Sequence, residues 1–451
     1  MMVIHPDDNV EIREDGHKYA LRDIRNGENV IKYGMPIGHA TCDIAKAEHV
    51  HTHNVATNLG ELLEYAYDPE FKQVEKVADS RTFMGYRRAD GQVGIRNDIW
   101  VIPTVGCVNN LCRRLAATCD GIALEHPYGC SQLGDDHDTT ANLLAALAHH
   151  PNAGGVLVVA LGCENNTLET FKERLGDISK LNIRFLRAQD AGDEFEQGKA
   201  LIAELVANRA PEREPVSVSE LKIGLKCGGS DGFSGLTANP LVGRLSDWLV
   251  ARGGYTVLTE VPEMFGAETL LMKRCKDRAT FDKCVKMIND FKDYYTRHNQ
   301  VCYENPSPGN KAGGITTLED KSLGCVQKGG SSPVMDVLGY GERLKQPGLS
   351  LLTGPGNDLV ASTVLAAAGC HVVLFTTGRG TPFGTVVPTM KIATNTKLAT
   401  DKAAWIDWDA MGNPSTEAFA EKVLSVASGE LAANERFGAR EIAIFKDGVT
   451  L

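Results

Sequence analysis

Cysteines standing directly beside glycines recur in this chain at the ends of apolar runs. The run IWVIPTV (99–105) leads into Gly106-Cys107-Val108-Asn109, and GIALE (121–125) into His126-Pro127-Tyr128-Gly129-Cys130. GVLVVAL (155–161) leads into Gly162-Cys163-Glu164-Asn165, and LKIGLK (221–226) into Cys227-Gly228-Gly229-Ser230-Asp231-Gly232. A thiol can be a small buried hydrophobe, or, as thiolate, a nucleophile and soft metal ligand. Four at equivalent strand ends point to thiols and polar groups that face a common crevice. Two further run ends add charge: YTVLTE (255–260) finishes on Glu260, with Glu263 close behind, and HVVLFTT (371–377) runs into Gly378-Arg379-Gly380-Thr381. The planar guanidinium fork of Arg379 suits a carboxylate, and the glycines let a ligand approach the backbone. Neither CGGSDG nor GRGTPFG matches a phosphate-binding nucleotide loop.

A second constellation lies near the start. In Glu48-His49-Val50-His51-Thr52-His53-Asn54 the histidines alternate with other residues. On a strand all three would face one side, a geometry suited to a divalent transition metal held by imidazoles. A solvated hairpin face is the plainer alternative.

The elements that must position these groups fall into three parts. The first 60 residues hold short alternating stretches and an internal repeat, Asp23-Ile24-x-x-Gly27-Glu28-x-Val30 echoed by Asp43-Ile44-x-x-Ala47-Glu48-x-Val50, which predicts a small β-module over 1–65. Polar residues 66–85 read as a linker. From there apolar runs alternate with helical patterns, the mark of parallel α/β structure. Strands are expected at 99–105, 121–125, 155–161 and 183–188 in a central domain, 86–215. Others are expected at 221–226, 255–260, 349–354 and 371–377 in a C-terminal domain, 216–451. A polar break, 208–220, divides the two domains. The Gly-, Pro- and Lys-rich stretch 303–332 reads as a long functional loop. The fold class is therefore α/β: a β-module followed by two domains with mainly parallel sheets.

Composition narrows the partners. A net charge of −11 argues against nucleic acid, which usually leaves a basic footprint. No stretch approaches the roughly 18 unbroken apolar residues of a membrane span. The acidic start MMVIHPDDNVEIRED lacks the features of a secretory signal. Twelve cysteines without tight CxxC spacing then suggest a reducing compartment and free thiols, with the cytoplasm as the expected location.

The longer motifs carry a resemblance. HVHTHN (49–54), GYRRADGQVGIRN (85–97), HPYGCSQLGDD (126–136), LGCEN (161–165), CGGSDGFSGLTANP (227–240), EVPEMFGAE (260–268), NPSPGNKAGG (305–314), LEDKSLG (318–324) and TTGRGTPFG (376–384) resemble the altronate and galactarate dehydratases of bacterial sugar-acid catabolism. HVHTHN and the continuation SQLGDDH lie nearer the altronate branch. The resemblance implies an SAF-type β-clip for the N-terminal module. It also implies a hydro-lyase that converts D-altronate to 2-keto-3-deoxy-D-gluconate with Fe²⁺ (Mn²⁺ as substitute); galactarate or a related sugar acid is the alternative substrate.

Loss of the proton α to a carboxylate creates an enediolate, so cations must face the carboxylate oxygens, a base must take the C2 proton and an acid must help the C3 hydroxyl leave. On that basis the catalytic candidates are His126, Glu164, Glu260, Lys311 and Arg379. Ser230, Asp231, Asn310, Lys321 and Thr381 are substrate-binding candidates, and His51, His53, Cys130 and Cys163 metal candidates. Two rival readings stand beside this one: an iron–sulfur cluster on Cys107, Cys130, Cys163 and Cys227, and a non-catalytic sugar-acid binding protein. The expected partners are a small sugar acid and a second copy of the chain in a homodimer.

Overall fold

The computed structural model describes residues 2–59, 65–210 and 212–451. Six short strands open the chain: β1 (Val10–Ile12), β2 (Lys18–Ala20), β3 (Asn29–Lys32), β4 (Met35–Ala40), β5 (His49–Val50) and β6 (Val55–Ala56). They pair as two three-stranded sheets, β1–β2–β5 and β3–β4–β6.

The internal repeat explains how these sheets meet. Ile24 and Ile44, equivalent in the two copies, bond each other's backbone in both directions at 2.9 and 2.8 Å. Asp43 accepts from the N–H of Asn26 and Asp23 from that of Lys46, each at 2.8 Å, so each copy's aspartate holds the other's turn. Gly27 and Ala47 share the same left-handed position, with φ of +80° and +67°. The residues expected at the end of the module, 60–64, lie outside the described residues.

Residues 65–81 have no regular structure, yet they are no free tether. Tyr65 donates to Glu268 at 2.6 Å, and the N–H groups of Glu70 and Val77 reach the carbonyls of Lys273 and Ala251. After β7 (Thr82–Arg87) and β8 (Val93–Gly94), four strands build a parallel sheet: β9 (Asp98–Pro103), β10 (Ile122–Ala123), β11 (Ala153–Ala160) and β12 (Ile183–Arg187), in the order β10–β9–β11–β12. β13 (Glu214–Ser217) then returns to pair antiparallel with β7. The segment read as a polar break thus contains a strand. Only Val216 in it is buried, so no apolar alternation marked it.

The largest sheet has seven parallel strands: β14 (Lys222–Cys227), β15 (Tyr255–Leu258), β16 (Val334–Leu338), β17 (Gly348–Leu352), β18 (Val372–Thr377), β19 (Thr389–Ala393) and β20 (Trp408–Asp409). Their order is β16–β17–β15–β14–β18–β19–β20. β16, β19 and β20 were not expected. β19 reads TMKIA, and its wholly buried Lys391 disguises a core strand.

The stretch 303–332 overturns the loop expectation. It folds into helices at Pro308–Ala312 and Leu318–Cys325 and a 3-10 turn at Val326–Gly329. The helix Leu318–Cys325 is buried along its whole length. Its charged residues are not solvated; they pair inside the protein.

Candidate active site

The seven-stranded sheet changes winding direction at β14, which lies between β15 on one side and β18 on the other. In open α/β sheets ligands bind beyond the carboxyl ends of the strands at such a switch point. Here those ends carry the loop from Cys227 to Asp231, the turn from Glu260 to Glu263, and Arg379.

Beneath this edge lies a buried charge network. Glu260 adopts left-handed backbone geometry (φ 71°), an uncommon and strained state that clusters at functional sites. One of its oxygens accepts from Cys227 N at 3.0 Å. Lys226 Nζ stands 3.0 Å from the other without hydrogen-bond alignment, and donates to Asp358 at 2.6 Å. Lys321 Nζ meets Glu263 at 2.7 Å, while the thiols of Cys227 and Cys325 lie 2.9 and 3.3 Å from that carboxylate's other oxygen. Lys328, also fully buried, is 3.9 Å from Glu260.

These contacts shift the two carboxyl groups in opposite directions. Burial, reinforced by Glu263, pushes Glu260 well above the usual carboxylate range. Burial pushes Glu263 the same way, but Lys321 and Lys328 outweigh it and hold the group at about 2. Contact with Cys325 overcomes burial and lowers the Cys227 thiol to about 6, while Cys325 itself is driven up. Three lysines, Lys226, Lys321 and Lys328, thus share a buried cluster with Glu260, Glu263, Asp358 and the Cys227–Cys325 thiol pair. Two neighbouring carboxyl groups shifted in opposite directions are the arrangement acid–base chemistry uses.

Above this floor the β-module docks. Asp320 binds two buried lysines of the module, Lys18 at 2.7 Å and Lys32 at 2.9 Å, and Glu319 accepts from Thr57 and from Asn58 N. Gly232 and Gly314 admit the module's turn: a Cβ on either would lie 1.8 or 2.4 Å from Gly16 O. The docked module sets four histidines against the strand ends. His49 Nε2 is 3.1 Å from His17 Nδ1, and the rings of His17, His51 and His53 centre 5.0–5.8 Å from their neighbours. His51 Nε2 lies 2.9 Å from the carbonyl oxygen of Lys311. From there contact passes through Gly313, bonded to Gly232, to Gly378, bonded to Gly229, and so to Arg379. Arg379 is exposed, with no ion-pair partner among the described residues. The single-strand geometry expected for HVHTHN is not what unites the imidazoles: β5 stops at Val50, and residues 51–54 turn.

The other sequence candidates divide sharply. Ser230 is buried with its hydroxyl unpartnered, beside a cavity of ≈ 10 Å³ that Lys321 and Cys325 also line. Thr381 is half-buried, and its hydroxyl accepts from Phe383 N. Asp231 is occupied by Thr394, Asn395, Ser234 and Phe233 N, and Asn310 bonds Ser230 O and Ser307. Both are scaffolding for the loops.

In the central domain the ring of His126 spans Pro103 O and Tyr128 N. Burial lowers it to about 4, so it is a neutral brace. Glu164 folds onto Thr104, Leu161 N and Gly162 N. Cys130 and Cys163 are exposed on the loops that follow β10 and β11 of that domain's sheet. Cys227 is buried in the other domain, so the expected four-thiol set splits three to one. Sequence reasoning missed Lys226, Lys328, Cys325 and Asp320. Lysines inside otherwise apolar strands were the available signal.

Cys227, Glu263 and Cys325 are the one trio among the described residues whose ligand atoms all lie within 4.8 Å. The spacing would admit an ion, but the charge does not: a divalent cation would enter a buried cluster already balanced by three lysines. The histidines fit in donor chemistry. Burial, helped by neighbouring imidazoles and Lys18, keeps His49 and His51 below the usual histidine range and hence neutral, the form that ligates metals.

The scaffold is thus a parallel α/β sheet with a docked β-module and, beneath the strand ends, a carboxyl pair shifted in opposite directions. Comparisons agree along the chain. Residues 4–58 match the altronate/galactarate dehydratase SAF domain, 85–210 the second domain of D-galactarate dehydratase/altronate hydrolase, and 218–450 the C-terminal D-galactarate/altronate dehydratase domain. Altronate dehydratase from Escherichia coli is 56% identical and that from Bacillus subtilis 54% identical, each over 98% of this chain and 94% of the relative. Galactarate dehydratase (L-threo-forming) from Escherichia coli is 32% identical over 88% of this chain and 80% of its own length. The chain belongs to the altronate and galactarate dehydratase family.

Proposed function

We propose that this chain is a hydro-lyase that dehydrates D-altronate to 2-keto-3-deoxy-D-gluconate. The observation that carries this reading is the near-full-length identity with two altronate dehydratases, well above that with the galactarate enzyme. In the mechanism we assign, substrate occupies the crevice between the module's histidines and the strand ends of β14 and β18. Arg379 grips the carboxylate through its paired N–H groups. The unpartnered Ser230 hydroxyl and Thr381 read the sugar hydroxyls.

His51 takes the C2 proton. Its Nε2 position against the Lys311 carbonyl fixes the tautomer with the proton on Nε2, so the Nδ1 lone pair accepts from the Thr52 hydroxyl at 3.0 Å and is the atom that substrate must take over. Being neutral at pH 7, it is ready as a base. Lys311, at the rim, donates the proton with which the C3 hydroxyl leaves as water, and the enol that remains takes a proton at C3 to give the 2-keto product. The buried lysines, held by Glu260, Glu263 and Asp358, keep the floor of the site in fixed charge, so that enediolate charge develops against preorganised groups. His17, His49 and His53 would hold a divalent ion such as Fe²⁺ or Mn²⁺; when bound it would supply Lewis-acid stabilisation of the carboxylate. A panel of aldonates and aldarates, assayed anaerobically with Fe²⁺ and Mn²⁺, tests the reading. Turnover of D-altronate above all others is expected, and no turnover of any sugar acid would refute it.

A further inference from the structure

The central domain contains chemistry that the crevice does not use. Its parallel sheet places β10, β9 and β11 side by side, and each strand is followed by a Gly-Cys pair: Gly129-Cys130, Gly106-Cys107 and Gly162-Cys163. All three thiols are exposed, whereas six of the twelve cysteines are buried.

The loops interlock. Gly106 N donates to Tyr128 O at 2.9 Å, Asn166 N to Gly129 O at 3.0 Å, and Ser131 N to the Asn165 side chain at 2.9 Å. Two of the glycines are obligatory for this closeness: a Cβ at Gly129 would stand 2.0 Å from Thr104 O, and one at Gly106 would stand 2.7 Å from His126 O. His126 and Glu164 brace the same loops from within. Buried Gln132 ties Gly129 N through its oxygen while its Nε2 has no partner, which leaves an N–H free for sulfur. Six buried or backbone groups thus serve to hold three thiols out on one edge.

We infer that Cys107, Cys130 and Cys163 form a ligand site for an iron–sulfur cluster. A single ion does not suit them: thiolates sharing one ion at about 2.3 Å stand roughly 3.8 Å apart, and these three thiols, joined through the interlocked loops, are not a trio within 4.8 Å. In a polynuclear cluster each thiolate binds a different iron, so wider spacing is required. Three thiols satisfy three irons of a four-iron cluster, and the remaining corner is open to an oxygen ligand. The site stands on the central domain alone and holds whatever the crevice binds.

The test is to reconstitute the full-length protein anaerobically with equal Fe²⁺ and Fe³⁺ and with sulfide, then remove unbound ions. Iron and acid-labile sulfide retained in equal amounts are expected, with a broad visible absorption band that dithionite bleaches. Cys107→Ser, Cys130→Ser and Cys163→Ser should each lose most of that band while melting like the wild type, because the thiols are exposed. Cys42→Ser, at another exposed thiol, should keep it. Iron bound without sulfide, or a band that persists in the triple variant, overturns the inference. So does iron lost on His49→Ala but not on the cysteine changes, because that result assigns the metal to the histidines.

Discussion

Replacing Asp320 by asparagine should release the β-module from the site it completes. The carboxylate receives Lys18 at 2.7 Å and Lys32 at 2.9 Å, and also Thr316 N at 3.0 Å. Both lysines are buried, so water cannot replace the lost charge. Asparagine keeps the shape but offers one acceptor oxygen and no charge, which leaves two ammonium groups uncompensated. Breaking a buried pair from one side costs about 3–5 kcal/mol, and here one change breaks two. Lys18 is already lowered to about 8 by burial, despite Asp320, so in the variant it should shed its proton and recover part of that cost. The expected result is a loss of about 3–5 kcal/mol in urea unfolding and faster proteolysis within 65–81, where backbone contacts with the C-terminal domain are few. Adding Lys32→Met should restore part of the stability, because it removes one stranded charge. The pH dependence follows in sign. The two lysines hold Asp320 well below the usual carboxylate range against the effect of burial. Its stabilisation is therefore complete above its ordinary value near 4 and is lost as pH falls through the folded value. Wild type and variant should converge in strong acid. An Asp320→Asn protein within 1 kcal/mol of wild type at pH 7 would refute the reasoning.

Four further outcomes test the site. Arg379→Lys keeps charge but loses the fork, and kcat/KM for D-altronate should fall on the order of 10- to 100-fold; a near-normal value would move the carboxylate clamp elsewhere. His51→Ala should lower kcat by about 100-fold or more with little change in melting temperature, and unchanged kcat would remove it as the base. Glu263→Gln should cost about 3 kcal/mol or more by stranding Lys321 and Lys328. Glu260→Gln should cost less, because burial and Glu263 already disfavour the charged form of Glu260; equal effects of these two changes would contradict the opposed shifts.

Local pattern revealed much of the scaffold. The strands of the central sheet and β14, β15, β17 and β18 were legible because each is a short apolar run ending at glycine or a polar turn. The module was legible through its repeat, whose copies bond each other at Ile24 and Ile44. The failures share one physical cause: polar residues that are buried because they have partners far away in sequence. Asp320 and Lys18 are separated by 302 residues, so nothing near LEDKSLG says that it is a core helix rather than a loop. Lys391 hid β19 in the same way, and His126 and Glu164 looked reactive because their backbone partners are invisible in one dimension.

The same cause governs what the site can do. A residue type advertises chemistry only when its atoms are left unsatisfied by the fold. His126, Glu164, Asp231 and Asn310 are saturated by neighbours, and they shape loops. Arg379 and the Ser230 hydroxyl keep capacity to spare, whereas His51 is held by only two partners, the Lys311 carbonyl and the Thr52 hydroxyl. In the proposed site the module contributes His51 and the C-terminal domain contributes the guanidinium and the buried charge. Asp320 couples the two, because the carboxylate that binds Lys18 lies nine residues along the chain from Lys311, whose carbonyl orients His51. A change that loosens the docking should therefore impair proton transfer before it impairs substrate capture, raising the loss in kcat above the loss in affinity.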